Sequence, residues 1–379
     1  MKTLKIENDL RRLITSPYSV EMEEIIKYPQ PRELETGTSV VAIGDLHGNA
    51  IKFLYFLIKY KLVECSGIGY LNLYIAYMDN NIKNFVTFLK KYVRVNSSSH
   101  KPLLVLIGDT LADRGMNDYM TLKVYELLKD SGFEYIIIFS NHDQEFIVNF
   151  HKKLLSRQAK PRTFILGQPK LFARSMINMH QSIMRGEISD REVESLVRTV
   201  YIPNLKLVYK HRMAYSHLKS EMVIFTHAPV DIPFLQKCRK FICRQHSTRD
   251  FDRDYMMVEN FSSIEEMIDA INANFSVESF VKMHNNFDFQ FNERIFEQAP
   301  LLKLVWNKTI MEPSFQMRHK ITFIHGHIGQ QVVNSKHIIN LDSHFGKEHH
   351  EKYPFPVAMI KELVVCGSVI DSGYFARSQ

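Results

Sequence analysis

The chain has 379 residues, 45% hydrophobic and 23% charged, with a formal net charge of +7. That balance excludes a disordered or fibrous chain and suits one large globular domain or two smaller ones. The basic excess is scattered, with only modest clusters such as 237–244, so no nucleic-acid partner is expected.

In chain order, residues 1–38 read as a short helical lead-in ending at Pro29 and Pro31. Charge interrupts the first residues too early for a secretory signal. Residues 39–43 predict a strand. Ile51, Phe53, Leu54, Leu57 and Ile58 fall at helical spacing, which predicts a helix over 49–60. Next come a strand at 70–76, a helix at 82–93, a strand at 103–107, a helix at 119–128, a strand at 135–139 and a helix from Gln144. This alternation of strand, loop and helix implies an α/β fold with its chemistry at strand ends. Residues 152–205 are polar and mostly helical. Strands resume at 213–215 and 222–225, helices over 231–303, and short strands at 321–324, 338–341, 357–360 and 363–370. No apolar run approaches the roughly 20 residues of a transmembrane helix. Cys65, Cys238, Cys243 and Cys366 are scattered and read as reduced thiols.

Four loops carry the chemistry. Gly44-Asp45-Leu46-His47-Gly48 sets a carboxylate and an imidazole two positions apart, just after the apolar run 40–43. Gly108-Asp109 with Asp113-Arg114-Gly115, Ser140-Asn141-His142-Asp143, and Ile324-His325-Gly326-His327 repeat the design. Each time an apolar run hands Asp, Asn or His to a loop. Hard divalent ions favour carboxylate and carbonyl oxygen, and imidazole suits zinc, iron, nickel and manganese. Four such loops in one chain point to a binuclear metal hydrolase. Taken singly, each residue has a structural alternative. An Asp after a strand is often a helix cap, and Asn141-His142 can be a turn pair. His227, in Thr226-His227-Ala228-Pro229, can be a hydrogen-bonded core histidine, and His325 rivals His327. Trp306 and the stretch with Phe280, Phe287, Phe289 and Phe291 read as core packing rather than binding surface.

The order and content of these loops resemble the calcineurin-like metallophosphoesterases, specifically the PPP-type phosphoprotein phosphatases. That family carries Gly-Asp-x-His-Gly, Gly-Asp-x-x-Asp-Arg-Gly, Gly-Asn-His-Glu and two later histidines. The first motif is intact at 44–48. The second, 108–115, is one residue longer. The third has Ser140 for glycine and Asp143 for glutamate. The later histidines fall at His227 and His327. Leu304-Val305-Trp306 and Asn340-Leu341-Asp342-Ser343 resemble segments of the bacterial branch. The insertions and the Leu-Ala-Asp-Arg-Gly variant also resemble the secreted Wip-type effector phosphatases of intracellular bacteria.

The resemblance implies an α/β metallophosphoesterase fold: two packed central β-sheets flanked by helices, with helical cap insertions. Residues 39–379 would be one domain, with insertions at about 62–100, 152–210 and 231–303 forming a cap or rim. It implies two divalent metal ions, manganese first in an assay, with iron or zinc also accepted. Asp45, His47 and Asp109 would bind one, and Asp109, Asn141, His227 and His327 the other. A metal-bridging hydroxide would attack phosphorus directly. Arg114 and Asn141 would hold phosphate oxygens, with Lys308 or Arg318 as a further basic contact. His142, oriented by Asp113, would protonate the leaving group. The implied function is hydrolysis of phosphomonoesters on phosphoprotein Ser/Thr, with Tyr as an extension. Two alternatives are a dinucleoside polyphosphate hydrolase and an inactive binding module on a phosphatase fold. The implied location is the cytoplasm, or a host cell reached by secretion. The departures have expected consequences. The extra residue must bulge the loop before Asp113, and the shorter Asp143 must shift its contacts.

Overall fold

A computed structural model of the chain describes residues 18–20, 22–34, 38–96, 102–150, 173–216, 219–245, 261–286, 297, 299–309, 321–328, 338–342 and 360–366. The described strands are β1 Tyr18–Val20, β2 Thr38–Ile43, β3 Val63–Glu64, β4 Arg94–Val95, β5 Leu103–Leu106, β6 Tyr135–Ile138, β7 Leu205–Lys206, β8 Val208–Ser216, β9 Lys219–Thr226, β10 Ile321–His325, β11 Ile338–Asn340 and β12 Ile360–Cys366. The helices used below are α1 Met22–Ile25, α2 Ala50–Lys59, α3 Gly67–Met78, α4 Ile82–Tyr92, α5 Asp118–Asp130, α6 Asn141–Asn149, α7 Arg174–Met184 and, later in the chain, α8 Pro300–Trp306.

Two larger sheets form the centre. The first has the order β1-β12-β2-β5-β6-β7, and the second β11-β10-β9-β8. In the first, β2, β5, β6 and β7 are parallel, with Val41 opposite Leu104 and Leu106 opposite Ile137. In the second, β9, β10 and β11 are parallel, with Phe225 opposite Ile324 and Ile338 opposite Phe323. Parallel pairing sends the loops after β2, β5 and β6 out at one edge, and those after β9, β10 and β11 likewise.

The period-2 alternation of strand side chains explains the layering. Val40, Ala42, Val105, Ile107 and Ile138 of the first sheet meet Val223, Phe225, Ile324 and Ile339 of the second in one buried cluster. Their neighbours Val41, Ile43, Leu104, Leu106 and Ile137 point the other way, into the larger core shared with the helices. Both faces are apolar, as strands covered on two sides require. The result is a mixed α/β structure with two sheets that are parallel at their centres and antiparallel at an edge, and a helical layer. Phe280 packs on Phe139 at 5.1 Å between ring centroids, so it is core; Phe287, Phe289 and Phe291 lie outside the described residues.

Two expectations need correction. Residues 70–76 were expected as a strand, on their aromatic and apolar content, but belong to helix α3. Tyr70, Leu73 and Tyr77 are buried at helical spacing, and the Ser66 hydroxyl accepts the Gly69 N–H as an N-cap. The lead-in is not simply helical either. Among its described residues are both α1 and strand β1, which pairs antiparallel with β12 at the far end of the chain. No local signal announces a strand whose partner lies more than 300 residues away. The expected strands at 357–359 and 367–370 lie outside the described residues. No described helix is long and apolar enough to cross a membrane.

Candidate metal centre

Every loop singled out in the sequence leaves a strand's carboxyl end. Asp45 and His47 follow β2; Asp109, Asp113 and Arg114 follow β5; Asn141 and His142 follow β6. His227 follows β9 and His327 follows β10. His47, Asp109, Ala112 and His327 adopt left-handed backbone angles, with φ of 54°, 49°, 54° and 68°. Such conformations cost on the order of 1 kcal/mol or more and persist where surrounding structure enforces them. Close approach does the enforcing. A Cβ on Gly326 would lie 2.0 Å from Asp45 Oδ1, and one on Gly108 would lie 2.6 Å from His227 Nδ1. Only glycine lets these loops press against each other's functional atoms.

His227 is the hub of one side. Its Nδ1 lies 2.9 Å from the Ile107 carbonyl, which can only accept, so Nδ1 carries the proton. In the neutral ring Nε2 is then a lone pair. It faces Asn141 Oδ1 at 2.8 Å, His327 Nδ1 at 3.2 Å and Asp109 Oδ1 at 3.4 Å. The other side centres on His47. Its Nδ1 contacts Asp113 Oδ2 at 2.6 Å and lies 4.0 Å from Asp109 Oδ2. Its Nε2 lies 3.7 Å from Asp342 Oδ1. The His327 backbone N–H donates to Asp45 Oδ2 at 3.1 Å, tying the two sides together. All of these side chains are buried.

Burial alone would raise carboxyl and lower imidazole pKa values. At Asp109 burial is outweighed by His142, His227, His47 and His327, which hold its carboxyl well below the usual range. At Asp113 burial is outweighed by Arg114, His142 and His47, and the carboxyl falls to about 2. Burial lowers His47, which Asp113 only partly offsets. His142 goes the other way: burial is outweighed by Asp113, Asp109 and Glu145, and its pKa rises to about 9.

The structure thus brings Asp45, His47, Asp109, Asp113, Arg114, Asn141, His142, His227 and His327 into one buried region. Between the two rival histidines, it is His327 that faces the His227 ring, at 4.9 Å between centroids, while His325 Nδ1 lies 2.9 Å from the Gly326 carbonyl. Lys308 is exposed. Arg318 lies outside the described residues. Trp306 is buried and donates to Gln144 Oε1 at 2.7 Å.

The motif departures acquire physical reasons. Ser140 and Asp143 form a reciprocal capping box at the start of α6. The second Asp143 oxygen accepts from the Thr110 hydroxyl at 2.9 Å and faces the Thr110 and Leu111 N–H groups at 3.3 Å. Serine plus the shorter acid therefore serves as a brace between two loops. The added residue is absorbed where Ala112 turns left-handed and donates to both oxygens of Asp118. That turn presents the Ala112 carbonyl to His142 Nδ1 at 2.9 Å. Asp113 consequently hydrogen-bonds Arg114 and His47, and stands 3.7 Å from His142 Nε2, beyond hydrogen-bond reach.

Two buried residues escaped the sequence reading. Asp342 follows β11 and joins the His47 side. Lys52, on α2, is 1% exposed, and its ammonium is attracted by Asp113, Asp45 and Asp342 while burial lowers its pKa to about 8. The first had a signal in its Asn-x-Asp segment. The second had none, because it sits on a helix face where lysines are usually solvated.

The residues present fit a divalent cation. His47 Nε2 and Asp109 Oδ1 are buried and make no hydrogen bond among the described residues. Ligand atoms of Asp45, His47 and Asp342 lie within 4.8 Å of one another, as do those of Asp45, Asp109 and His227, and of His47, Asp109 and Asp113. Carboxylate oxygen, amide oxygen and imidazole nitrogen form a donor set for borderline divalent ions.

Comparison with curated protein sequences returns no match. Among solved structures, the phosphatase domain from the Legionella effector WipB is similar over 76% of this chain and 99% of its own, with 23% identity and a TM-score of 0.57. That likeness shows the fold. A cold-active protein-tyrosine phosphatase from a psychrophilic Shewanella species aligns over 84% of this chain and 75% of its own, at 15% identity and a TM-score of 0.36. The family description "WipA-like, phosphatase domain" matches residues 103–347, from the first residue of β5 to beyond β11. Asp45 and His47 precede that match; Asp109, Asp113, Arg114, Asn141, His142, His227 and His327 fall within it. With more than half its length matched, the chain belongs to the family of WipA-like phosphatase domains.

Proposed function

We propose that this phosphatase domain is a metal-dependent protein phosphatase of the PPP, calcineurin-like type, hydrolysing phosphomonoesters on serine or threonine, with phosphotyrosine also in reach. The observation that carries the reading is the convergence at His227 Nε2. A lone pair there faces an amide oxygen, a second imidazole and a carboxylate within 3.4 Å. Lone pairs crowded together in a dry site repel, and a cation among them turns that repulsion into attraction.

Asp45, His47 and Asp109 would hold one ion, and Asp109, Asn141, His227 and His327 the other. A bound pair supplies Lewis acidity toward the phosphoryl oxygens and water activated near neutral pH. The chain's own residues do the rest. Arg114, fixed through Asp113 at 2.8 Å, offers a planar guanidinium that matches phosphate oxygens. Asn141 adds an amide contact. The Ala112 carbonyl engages His142 Nδ1, which leaves Nε2 to deliver a proton to the departing alkoxide or phenoxide. Lys308, exposed just beyond α8, suits a peripheral contact with a large phosphoprotein better than a place in the cluster.

Residues 39–379 form one domain on this reading, with the segments at about 62–100, 152–210 and 231–303 as its rim. The likeness to a Legionella effector domain supports action inside a host cell after secretion. A panel of phosphoserine, phosphothreonine and phosphotyrosine peptides, assayed with manganese and with a chelator, tests the proposal. Metal-dependent peptide turnover is expected. Faster cleavage of a dinucleoside tetraphosphate would reassign the substrate. Turnover indifferent to chelation would end the metal reading.

A further inference from the structure

We propose that Asp342 is a metal ligand at the Asp45–His47 position, adding a carboxylate to the ligand set that the resemblance implies. The inference rests on the metal reading above and extends it. Asp342 is 1% exposed, and its Oδ1 lies 3.7 Å from His47 Nε2. That separation is too long for a hydrogen bond. It also brings a carboxylate oxygen toward a nitrogen with no hydrogen bond among the described residues. The Asp113 contact at 2.6 Å places a proton at His47 Nδ1, so Nε2 of the neutral ring is a lone pair. A carboxylate holding one ring nitrogen while the other is left to ligate is a common support for a metal-binding histidine. Asp45 completes the group, with all three ligand atoms within 4.8 Å of one another.

The fold delivers Asp342 to this spot by several independent contacts. The Leu341 N–H donates to the His325 carbonyl at 2.7 Å, which continues the β10–β11 register past its end. The Asn340 side chain accepts the Asp342 N–H at 2.9 Å and donates to the Ile328 carbonyl at 2.6 Å. The Leu341 carbonyl packs so closely on Gly44 that a Cβ there would lie 1.9 Å away. The bare backbone of Gly44 thus lets the end of β11 reach the loop that carries Asp45. Charge points the same way. Lys52 is buried in this corner. The Asp342 carboxylate adds negative charge opposite that ammonium, which favours a cation there.

Calorimetric titration of the full chain with Mn²⁺, on wild type, Asp342→Asn and Asp45→Asn, tests the assignment. Wild type is expected to bind two ions. Asp342→Asn is expected to weaken one of them by at least about tenfold, in line with losses around metal sites, and to leave the other unchanged. If Asp342→Asn binds both ions as wild type does while Asp45→Asn loses one, Asp342 is no ligand and the metal reading survives. Absence of binding by wild type would overturn both. Anomalous diffraction from wild-type crystals soaked in Mn²⁺ decides the matter should the variant fail to fold. A peak within coordination distance of the Asp342 carboxylate supports the assignment, and a peak elsewhere in the cluster overturns it.

Discussion

The two sides of the candidate centre handle charge differently. The side fed by β2 and β5 is rich in carboxylates, with Asp45, Asp109 and Asp113, and carries buried cations in Arg114 and Lys52. The side reached from β9 and β10 is imidazole-rich, with His227 and His327 facing each other beside Asn141. The first is balanced by opposite charges packed together. The second sets imidazole and amide side chains against one another. Hard ions suit the first set and borderline ions the second, so the two positions need not hold the same metal. Asp109 stands between them, with Oδ1 3.4 Å from His227 Nε2 and Oδ2 4.0 Å from His47 Nδ1.

That placement gives the most damaging test. Asp109→Asn should strip affinity from both sides at once. Hydrolysis of para-nitrophenyl phosphate should then fall by more than the roughly 10²–10⁴-fold that loss of a general acid costs. Elemental analysis should find less than one ion per chain. Retention of one full ion would show that the two sides are independent. His142→Ala comes next. It should lower turnover by about 10²–10⁴-fold while bound metal stays close to the wild-type level, because His142 hydrogen-bonds the Ala112 carbonyl and supplies no atom to the proposed ligand set. Parallel losses of metal and turnover would assign His142 a structural part instead.

A smaller effect separates the loop braces from the centre itself. Burial raises the Asp118 carboxyl to about 7, only partly offset by Ser175 and the Ala112 N–H. An unfolded aspartate titrates near 3.9. The folded chain therefore binds this proton more tightly. The associated stability is complete below about pH 4 and is lost as pH rises through about 7. Asp118→Asn stays neutral throughout. Between pH 5 and pH 8 wild type should lose stability, on the order of a few kcal/mol, that the variant keeps. Thermal melts at the two pH values measure this. Parallel pH profiles would place the brace's charge elsewhere.

The sequence displays the carboxylate side better than what supports it. Glycine-flanked Asp and His after β-branched runs is a local pattern, and it marks Asp45, His47 and Asp109 directly. His227 and His327 need the order of loops along the whole chain. The roles of Asp342 and Lys52 need three dimensions: one follows a strand whose neighbour is set by pairing, and the other looks like an ordinary helical lysine until α2 is packed. The Asp143 brace was equally hidden, because its meaning depends on Thr110 and Leu111, more than 30 residues away. Helix α3 was misread since tyrosine and leucine serve either period. The deciding signal was the Ser66 cap three residues before Gly69.

The smallest expected effect tests whether the imidazole side can be disturbed alone. Trp306 sits at the end of α8, with its ring edge-on to His327 at 6.4 Å between centroids. Its Nε1 donates to Gln144 Oε1, two residues past His142. Phenylalanine would keep the aromatic packing but remove the donor. Gln144 is 1% exposed, so its oxygen would stay buried without that partner, at a cost of about 1–3 kcal/mol. Trp306→Phe should therefore lower the Tm and shift Mn²⁺ affinity at the His227–His327 position by less than about tenfold, below the range for groups that bond a ligand directly. The Asp45–His47 position should respond less, because Trp306 faces the His327 ring and is linked to Asp45 through the His327 N–H. An equal shift at both positions would mean that the two sides respond as one unit, joined through the His327 N–H to Asp45.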